Sequence, residues 1–520
     1  MKRNTVFIFL FLWMSLTGYA QVATENLDQA MLDKIKQEGL NKSQVMQTAF
    51  YLTDVSGPRL SNSVGLRNAE DWAVKKLSSW GLVKAQREAW GTFGQGWEIQ
   101  KSYLAMTTPY YDQLIAAPKA WTPGTNGPAT GQVVLVNATK EEDLPQYAGK
   151  LKNRIVITPL TEPMKTSFEP DAKRYTEEDL AKLIAPVAPR TPSPTNTSNE
   201  DRIAIYRGRL AFRNHLNEFL QKEGASLVLS YRGGTHGTFF TSNGASYAAN
   251  APTALPEFEM SGEDYGRLVR LVEAGIPVNL EFESKTRFQN SDLQGYNVIA
   301  EIPGSDKKLK SEIVMLGGHL DSWHTATGAT DNAAGCAVMM EAVRILKAVN
   351  AKPKRTIRIA LWSGEEQGIH GSRNYVKNHF ADPATMALKP EHDLVSAYFN
   401  LDNGTGKIRG IYTQGNEAIN PIFQQWLAPF KDLGATIVTN RNTGGTDHLA
   451  FDAVGIPGFQ FVQDAIEYGT RTHHTNQDTY ERLQADDLKQ ASVIVASLVY
   501  NAANRKEKLP RKPLPQKKDA

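Results

Sequence analysis

Six residues in the second half of this 520-residue chain are of types that bind divalent metals or move protons, and each falls at or near the end of an apolar run. They are His319 in VMLGGHLDS, Asp331 in ATDNAAG, Glu365 and Glu366 in ALWSGEEQG, Asp402 in FNLDNGTG and His474 in RTHHTNQDT. Imidazoles and carboxylates are ligands of catalytic zinc, and two ions that share a carboxylate can act on one water. Five ligands and a spare glutamate are enough to build a two-metal hydrolase.

Taken singly, each motif has an ordinary alternative. A lone His-x-Asp is more often a satisfied structural histidine. Asp331 precedes a run of small residues and could serve only as a helix N-cap, stabilising by about 1 kcal/mol. Adjacent carboxylates are common on solvated surfaces, and the pair His473 and His474 also fits a surface turn. Their order and shared position set them apart, because ligands in open α/β sheets bind beyond the carboxyl ends of the strands.

The elements that must position these residues are legible from the periodicity. From residue 297, apolar runs at 313–316, 356–361, 395–401 and 458–462 alternate with helical patterns at 332–349, 370–378, 418–427 and 486–503. This predicts an α/β fold, a mostly parallel mixed sheet covered by helices on both faces. Helical patterns at 27–36, 43–53 and 69–80 read as a first layer of the same domain. Between 123 and 284 the texture changes to short β-like runs at 133–136, 155–158 and 227–231, separated by Gly-rich turns and a long polar insert. The expected organisation is a catalytic domain of residues 21–122 and 285–504, interrupted by a smaller strand-rich domain at 123–284. Within the insert, APRTPSPTNTSNE at 188–200 is too polar to order itself and reads as a mobile loop or lid edge. The tail 505–520, with seven Lys or Arg and three Pro, reads as disordered. No internal repeat is evident.

Composition narrows the remaining possibilities. At 41% hydrophobic and 22% charged the chain has the balance of a soluble globular protein. A net charge of +3, partly at the two ends, leaves no basic face for nucleic acid. Lys2 and Arg3, an apolar run at 6–16 and Gly18-Tyr19-Ala20 form the layout of a secretory signal peptide cut near Ala20, with secretion or a periplasmic location as the consequence. The run is too short for a membrane anchor, so no membrane association is expected. The single cysteine, Cys336, cannot form an internal disulfide and reads as a small buried side chain.

The motifs GGHLDS, TDNAAG, WSGEEQG, LDN, GGTDH and HHTNQDT, in this order, resemble the co-catalytic zinc exopeptidases that include bacterial leucyl aminopeptidases and carboxypeptidase Q, the latter branch most. The insert is similar to the protease-associated domain that several members carry. The resemblance implies two Zn2+ ions: one held by His319, Asp331 and Asp402, the other by Asp331, Glu366 and His474, with Asp331 bridging. Glu365 is then left as the general base. It also favours His474 over His473 as ligand, and suggests a homodimer. Asp321, which could hold the His319 imidazole in one tautomer, and Asp447, His448 and Tyr468 are expected to support the ligands or the transition state, Tyr468 by donating to the oxyanion. Where carboxypeptidase Q proteins tend to have Asp-Asp-Gly-Gly, the chain has Asp331-Asn332-Ala333-Ala334, the form commoner among the aminopeptidases. The expected activity is hydrolysis of the N-terminal bond of short peptides or dipeptides. The alternatives are a glutaminyl cyclase-like enzyme, which works with one zinc, and a non-catalytic peptide-binding protein, which predicts broken ligands. Arg441 and Arg471 are candidates to hold a substrate carboxylate.

Overall fold

Two eight-stranded sheets, each with its own apolar core, organise the protein. The structure is a computed structural model and describes residues 24–160, 164–186 and 199–516. The expected signal peptide and most of the polar loop at 188–200 lie outside the described residues.

The first sheet runs in the order Val83–Thr92, Gln294–Ile302, Thr356–Trp362, Ile313–His319, Val395–Asn400, Gly458–Gln463, Ile408–Tyr412, Ile437–Thr439. Its four central strands, from Thr356–Trp362 to Gly458–Gln463, are mutually parallel. Their side chains alternate between two buried faces: Val314 and Leu316 enter one apolar cluster, Ile313 and Met315 another. That double burial is why these strands read as continuous apolar runs. The helices Ala334–Ala348 and Ala485–Asn504 cover one face, and His370–His379 with His448–Asp452 the other.

Helix Ala334–Ala348 is buried along nearly its whole length, and its two charged members there, Glu341 and Arg344, pair at 2.8 Å. Gly335 lets it approach the sheet, since a Cβ at that position would stand 2.2 Å from the Leu401 carbonyl oxygen. Parallel pairing matches His319 with Trp362 and Gly317 with Asn400. The carboxyl ends of three neighbouring strands therefore open at one edge, where the chain leaves each strand for the metal-binding residue types of the sequence.

The second sheet runs Asp112–Gln113, Gly96–Thr108, Asn279–Gln289, Ala129–Leu135, Ile155–Ile157, Leu227–Ser230, Glu257–Met260, Ala116–Pro118. It begins earlier than the boundary expected at 123, because the long strand Gly96–Thr108 pairs antiparallel with Asn279–Gln289. It also carries a 24-residue helix, Asn199–Lys222, that a strand-rich reading did not foresee. The chain from 164 to 186 crosses to the first sheet, where Leu180 packs with Ile437 and Val462.

The tail differs from expectation. Leu509 is buried, Arg505 pairs with Glu25 at 3.1 Å, and Arg511 donates to the carbonyls of His392 and Val395. The carbonyls of Arg505 and Lys506 in turn accept from the buried Arg355. Charge density suggested a solvated tail, but these cations find backbone acceptors and carboxylates on the body of the domain. Only residues 517–520 of it lie outside the described residues.

Candidate metal centre

His319 ends the central strand, and its ring is fixed on both sides. Nδ1–H donates to the Asp321 carbonyl at 3.0 Å, turning Nε2 towards Asp402 Oδ1 at 3.2 Å and Asp331 Oδ1 at 3.3 Å. Asp321 thus holds the tautomer through its backbone oxygen, not through the carboxylate expected to do so, whose nearer oxygen is 3.8 Å away. The carboxylate is used elsewhere: its two oxygens accept the backbone N–H groups of Glu365 and Glu366 at 3.2 Å each, and Ser61 donates to it at 3.0 Å. It shapes the turn that presents both glutamates, which Gly364 enters with φ +69°.

Asp331 faces both histidines. Its Oδ2 lies 3.4 Å from His474 Nε2, which lies 2.9 Å from Glu366 Oε2. Two groups of buried or half-buried ligand atoms, each lying within 4.8 Å of one another, share this aspartate: His319, Asp331 and Asp402, and Asp331, His473 and His474. The backbone around Asp331 is held by Asp478, whose carboxylate accepts from Thr330 N–H at 2.7 Å and Asp331 N–H at 3.0 Å. Asn332 donates to the Leu401 carbonyl at 2.9 Å, tying this segment to the one bearing Asp402. His473 stacks on His474 with ring centroids 3.8 Å apart, so both imidazoles border the same space.

The electrostatics are those of acids crowded away from water. Burial, reinforced by neighbouring carboxylates, pushes Glu365 and Glu366 well above the usual carboxylate range. Burial also raises the Asp447 and Asp478 carboxyls to about 7. Burial opposes a charge on His319, yet Asp402 and Glu365 raise its proton affinity well above the ordinary value. Burial works against the charge on Asp331 too, but His319 and His474 hold its carboxyl below the usual range. Burial lowers His473 and His474, which favours the neutral imidazole that binds metals.

Three buried oxygens of the cluster, Asp331 Oδ2 and both carboxylate oxygens of Glu366, accept no hydrogen bond. Such groups are costly to leave unsatisfied. Although Glu366 Oε2 and His474 Nε2 are 2.9 Å apart, they are not aligned to bond each other, as expected when both lone pairs face a third centre. The donor set, all carboxylate and imidazole, fits zinc.

The remaining expected residues lie around this cluster. Asp447 accepts from Ser372 at 2.5 Å and is fully buried. His448 sits behind it, Nε2 3.2 Å from the Thr443 carbonyl, its proton affinity lowered to about 4 by burial. Tyr468 is half-buried against His473, and burial among the acids keeps its hydroxyl protonated. Arg441 donates to the Lys182 carbonyl, and Arg471 pairs with Asp171 and Glu467, so both cations have partners within the protein. Sequence reasoning gave no role to Asp478, although it belongs to the motif HHTNQDT, nor to Trp323, whose ring lies 6.0 Å from that of His474. The cleft here is lined by Trp323, Asp331, Glu366, His474 and Asp478. A larger cavity of about 740 Å³ lies far from this chemistry, between Glu25, Trp426, Tyr500 and Arg505.

Residues 297–499, which include all of these candidate ligands, match the family described as Peptidase family M28. The chain is 30% identical over 259 residues to carboxypeptidase Q of Rattus norvegicus, an alignment spanning 49% of this chain and about half, 52%, of that one. A solved structure of a Peptidase M28 precursor from Shewanella amazonensis superposes with a TM-score of 0.66 at 24% identity, covering 94% of this chain and 99% of that one. The zinc aminopeptidase BSAP from Bacillus subtilis shares the fold at a TM-score of 0.54 and 17% identity, over 90% and 96% of the two chains. Mixed sheets flanked by helices are the fold this protein shares with both structures.

Proposed function

We propose that the protein is an exported dizinc exopeptidase that removes the N-terminal residue from short peptides, dipeptides included. The observation that carries this reading is the sharing of Asp331, whose buried Oδ2 lacks a donor, between two ligand groups, with both carboxylate oxygens of Glu366 beside them likewise without one. Charge supports two ions: Asp331, Glu365, Glu366 and Asp402 carry −4 when ionised, which two divalent cations balance. One zinc would be held by His319, Asp331 and Asp402, the other by Asp331, Glu366 and His474. His473 borders the second group as well. Zinc ions bound there would lower the pKa of a shared water towards neutrality and polarise the scissile carbonyl.

The chain's own residues supply the proton transfers. The carboxyl group of Glu365 accepts no hydrogen bond among the described residues, while Asp321 fixes its backbone. Burial and its acidic neighbours raise its proton affinity in the metal-free cluster, and two bound cations would lower it again, leaving a base that can take a proton from the attacking water and give it to the leaving amine. Such a base contributes about 10²- to 10⁴-fold. The Tyr468 hydroxyl keeps its proton and can donate to the oxygen that becomes negative. Export is inferred from the residue pattern at 1–20; among the described residues no helix is long and apolar enough to cross a membrane.

The test is hydrolysis of free and N-acetylated di- and tripeptides by the purified mature protein, with zinc counted per chain and Glu365→Gln as control. Cleavage of free-amine peptides alone, with about two zincs and an inactive, zinc-loaded variant, is the expected result. A fully loaded protein that hydrolyses none of them would refute the proposal.

A further inference from the structure

The loop after strand Gly458–Gln463 carries Tyr468, His473 and His474, and the second sheet's chain grips it at two places. Before the histidines, Lys173 N–H donates to the Ile466 carbonyl at 2.9 Å and Ile466 N–H returns a bond at 2.8 Å. Beside this bridge, Thr470 donates to the Asp171 carbonyl at 2.9 Å and Arg471 pairs with the Asp171 carboxylate. After them, Thr241 N–H donates to the carbonyl of His474 itself at 2.8 Å. Asn476 completes this second grip: it accepts from Phe239 N–H at 3.0 Å and donates to the Gly237 carbonyl at 3.0 Å.

Within the loop, His473 N–H donates to the Tyr468 carbonyl and Thr475 N–H to the Thr472 carbonyl, but the His474 carbonyl is bonded from outside, by Thr241. His474 has φ +58°, in the left-handed region that a residue with a Cβ rarely adopts unless its surroundings impose it. It lies in a loop, with none of the ladder that fixes His319 against Trp362. The left-handed turn points His474 Nε2 at Asp331 and Glu366, and Thr241 and Asn476 bond the chain at that residue and two residues beyond.

We infer that the second sheet's chain is a positioning element of the metal centre, with Asn476 and the segment 237–241 keeping the His474 imidazole in place. Asn476 acts through His474 and not on substrate, so it is a positioning residue. The inference rests on the proposed dizinc reading and deepens it: the ion site of Asp331, Glu366 and His474 depends on the insert, whereas among the described residues no hydrogen bond from the insert reaches His319, Asp331 or Asp402.

The experiment is a zinc titration of the full-length mature protein in competition with a chromophoric chelator, for wild type, Asn476→Ala, Asn476→Asp and Thr241→Pro. Loss of a residue that orients a ligand typically weakens metal affinity about 10- to 100-fold. Asn476→Ala should therefore weaken one of the two ions to that degree and leave the other unchanged. Asn476→Asp, which keeps the acceptor for Phe239, should be intermediate, and Thr241→Pro, which lacks the N–H that bonds His474, should repeat the selective loss. Unchanged binding of both ions in Asn476→Ala and Thr241→Pro would overturn the inference, as would equal weakening of both ions in protein whose circular dichroism shows it folded. Wild-type protein that binds fewer than two ions would overturn the dizinc reading, and this inference with it.

Discussion

His319 and His474 offer the same imidazole to the same aspartate, yet different structures hold them. His319 ends a central parallel strand, buried on both faces, and its ring is locked by a carbonyl two residues on. His474 lies on a loop in a left-handed conformation, half-buried, and its backbone is bonded by a segment from another sheet. One half of the centre is thus preorganised by the domain that contains it. The other half is assembled from two parts of the chain, and the cost of holding its backbone is met by long-range hydrogen bonds. In such a site, loss of precision is expected first on the loop side.

The largest effect that sharpens this contrast is expected at the residue common to both halves. Asp331→Ala should release both ions and abolish measurable peptide hydrolysis, whereas His319→Ala and His474→Ala should each release one; zinc counting by mass spectrometry distinguishes them. Glu365→Gln comes next, lowering kcat by about 10²- to 10⁴-fold with zinc content unchanged, because a base is lost and no ligand is. If that variant loses zinc, Glu365 is a ligand and the proposed division of labour is wrong.

Asp478→Ala should weaken zinc binding about 10- to 100-fold, since it frees the Thr330 and Asp331 backbone that serves both ion sites. Unlike Asn476→Ala, it should not discriminate between them. On the sheet side, Gly335→Ala drives a Cβ towards the Leu401 carbonyl, and overpacking of this kind costs about 1–3 kcal/mol, readable from the denaturant midpoint. The smallest signal is dynamic. After zinc removal, amide hydrogen exchange should rise in residues 464–478 and stay slow in Ile313–His319; equal acceleration of the two would erase the contrast between strand and loop.

The halves also differ in how far they can be foreseen. The apolar runs that form Ile313–His319, Thr356–Trp362, Val395–Asn400 and Gly458–Gln463 are visible within one to three residues of their ends, because burial on both faces leaves a local mark. Glu365, Glu366 and Asp402 are legible by a simple rule, since each stands a few residues past the end of such a run. Asp321 is legible too, but not the atom it uses, since only the turn geometry directs its carbonyl to His319 and its carboxylate to the glutamate amides. Asp478, Asn476 and Thr241 carry no local sign of their partners. The basic tail misleads for a related reason: composition counts its charges and not the backbone oxygens that accept from Arg511.

The sequence by itself determined the types and order of the candidate ligands, and the alternation of strand and helix that brings carboxyl ends to one edge of a parallel sheet. These come from side-chain chemistry and from periodicities a few residues long. Only the tertiary structure decided that His319 meets Asp402 across 83 positions, that Asp331 faces both histidines, and that Gly96–Thr108 joins the second sheet. It alone decided that residues 237–241 reach the loop of His474. Such contacts depend on the path of the whole chain, and a hydrogen bond between distant backbones leaves no trace in the side chains at either end.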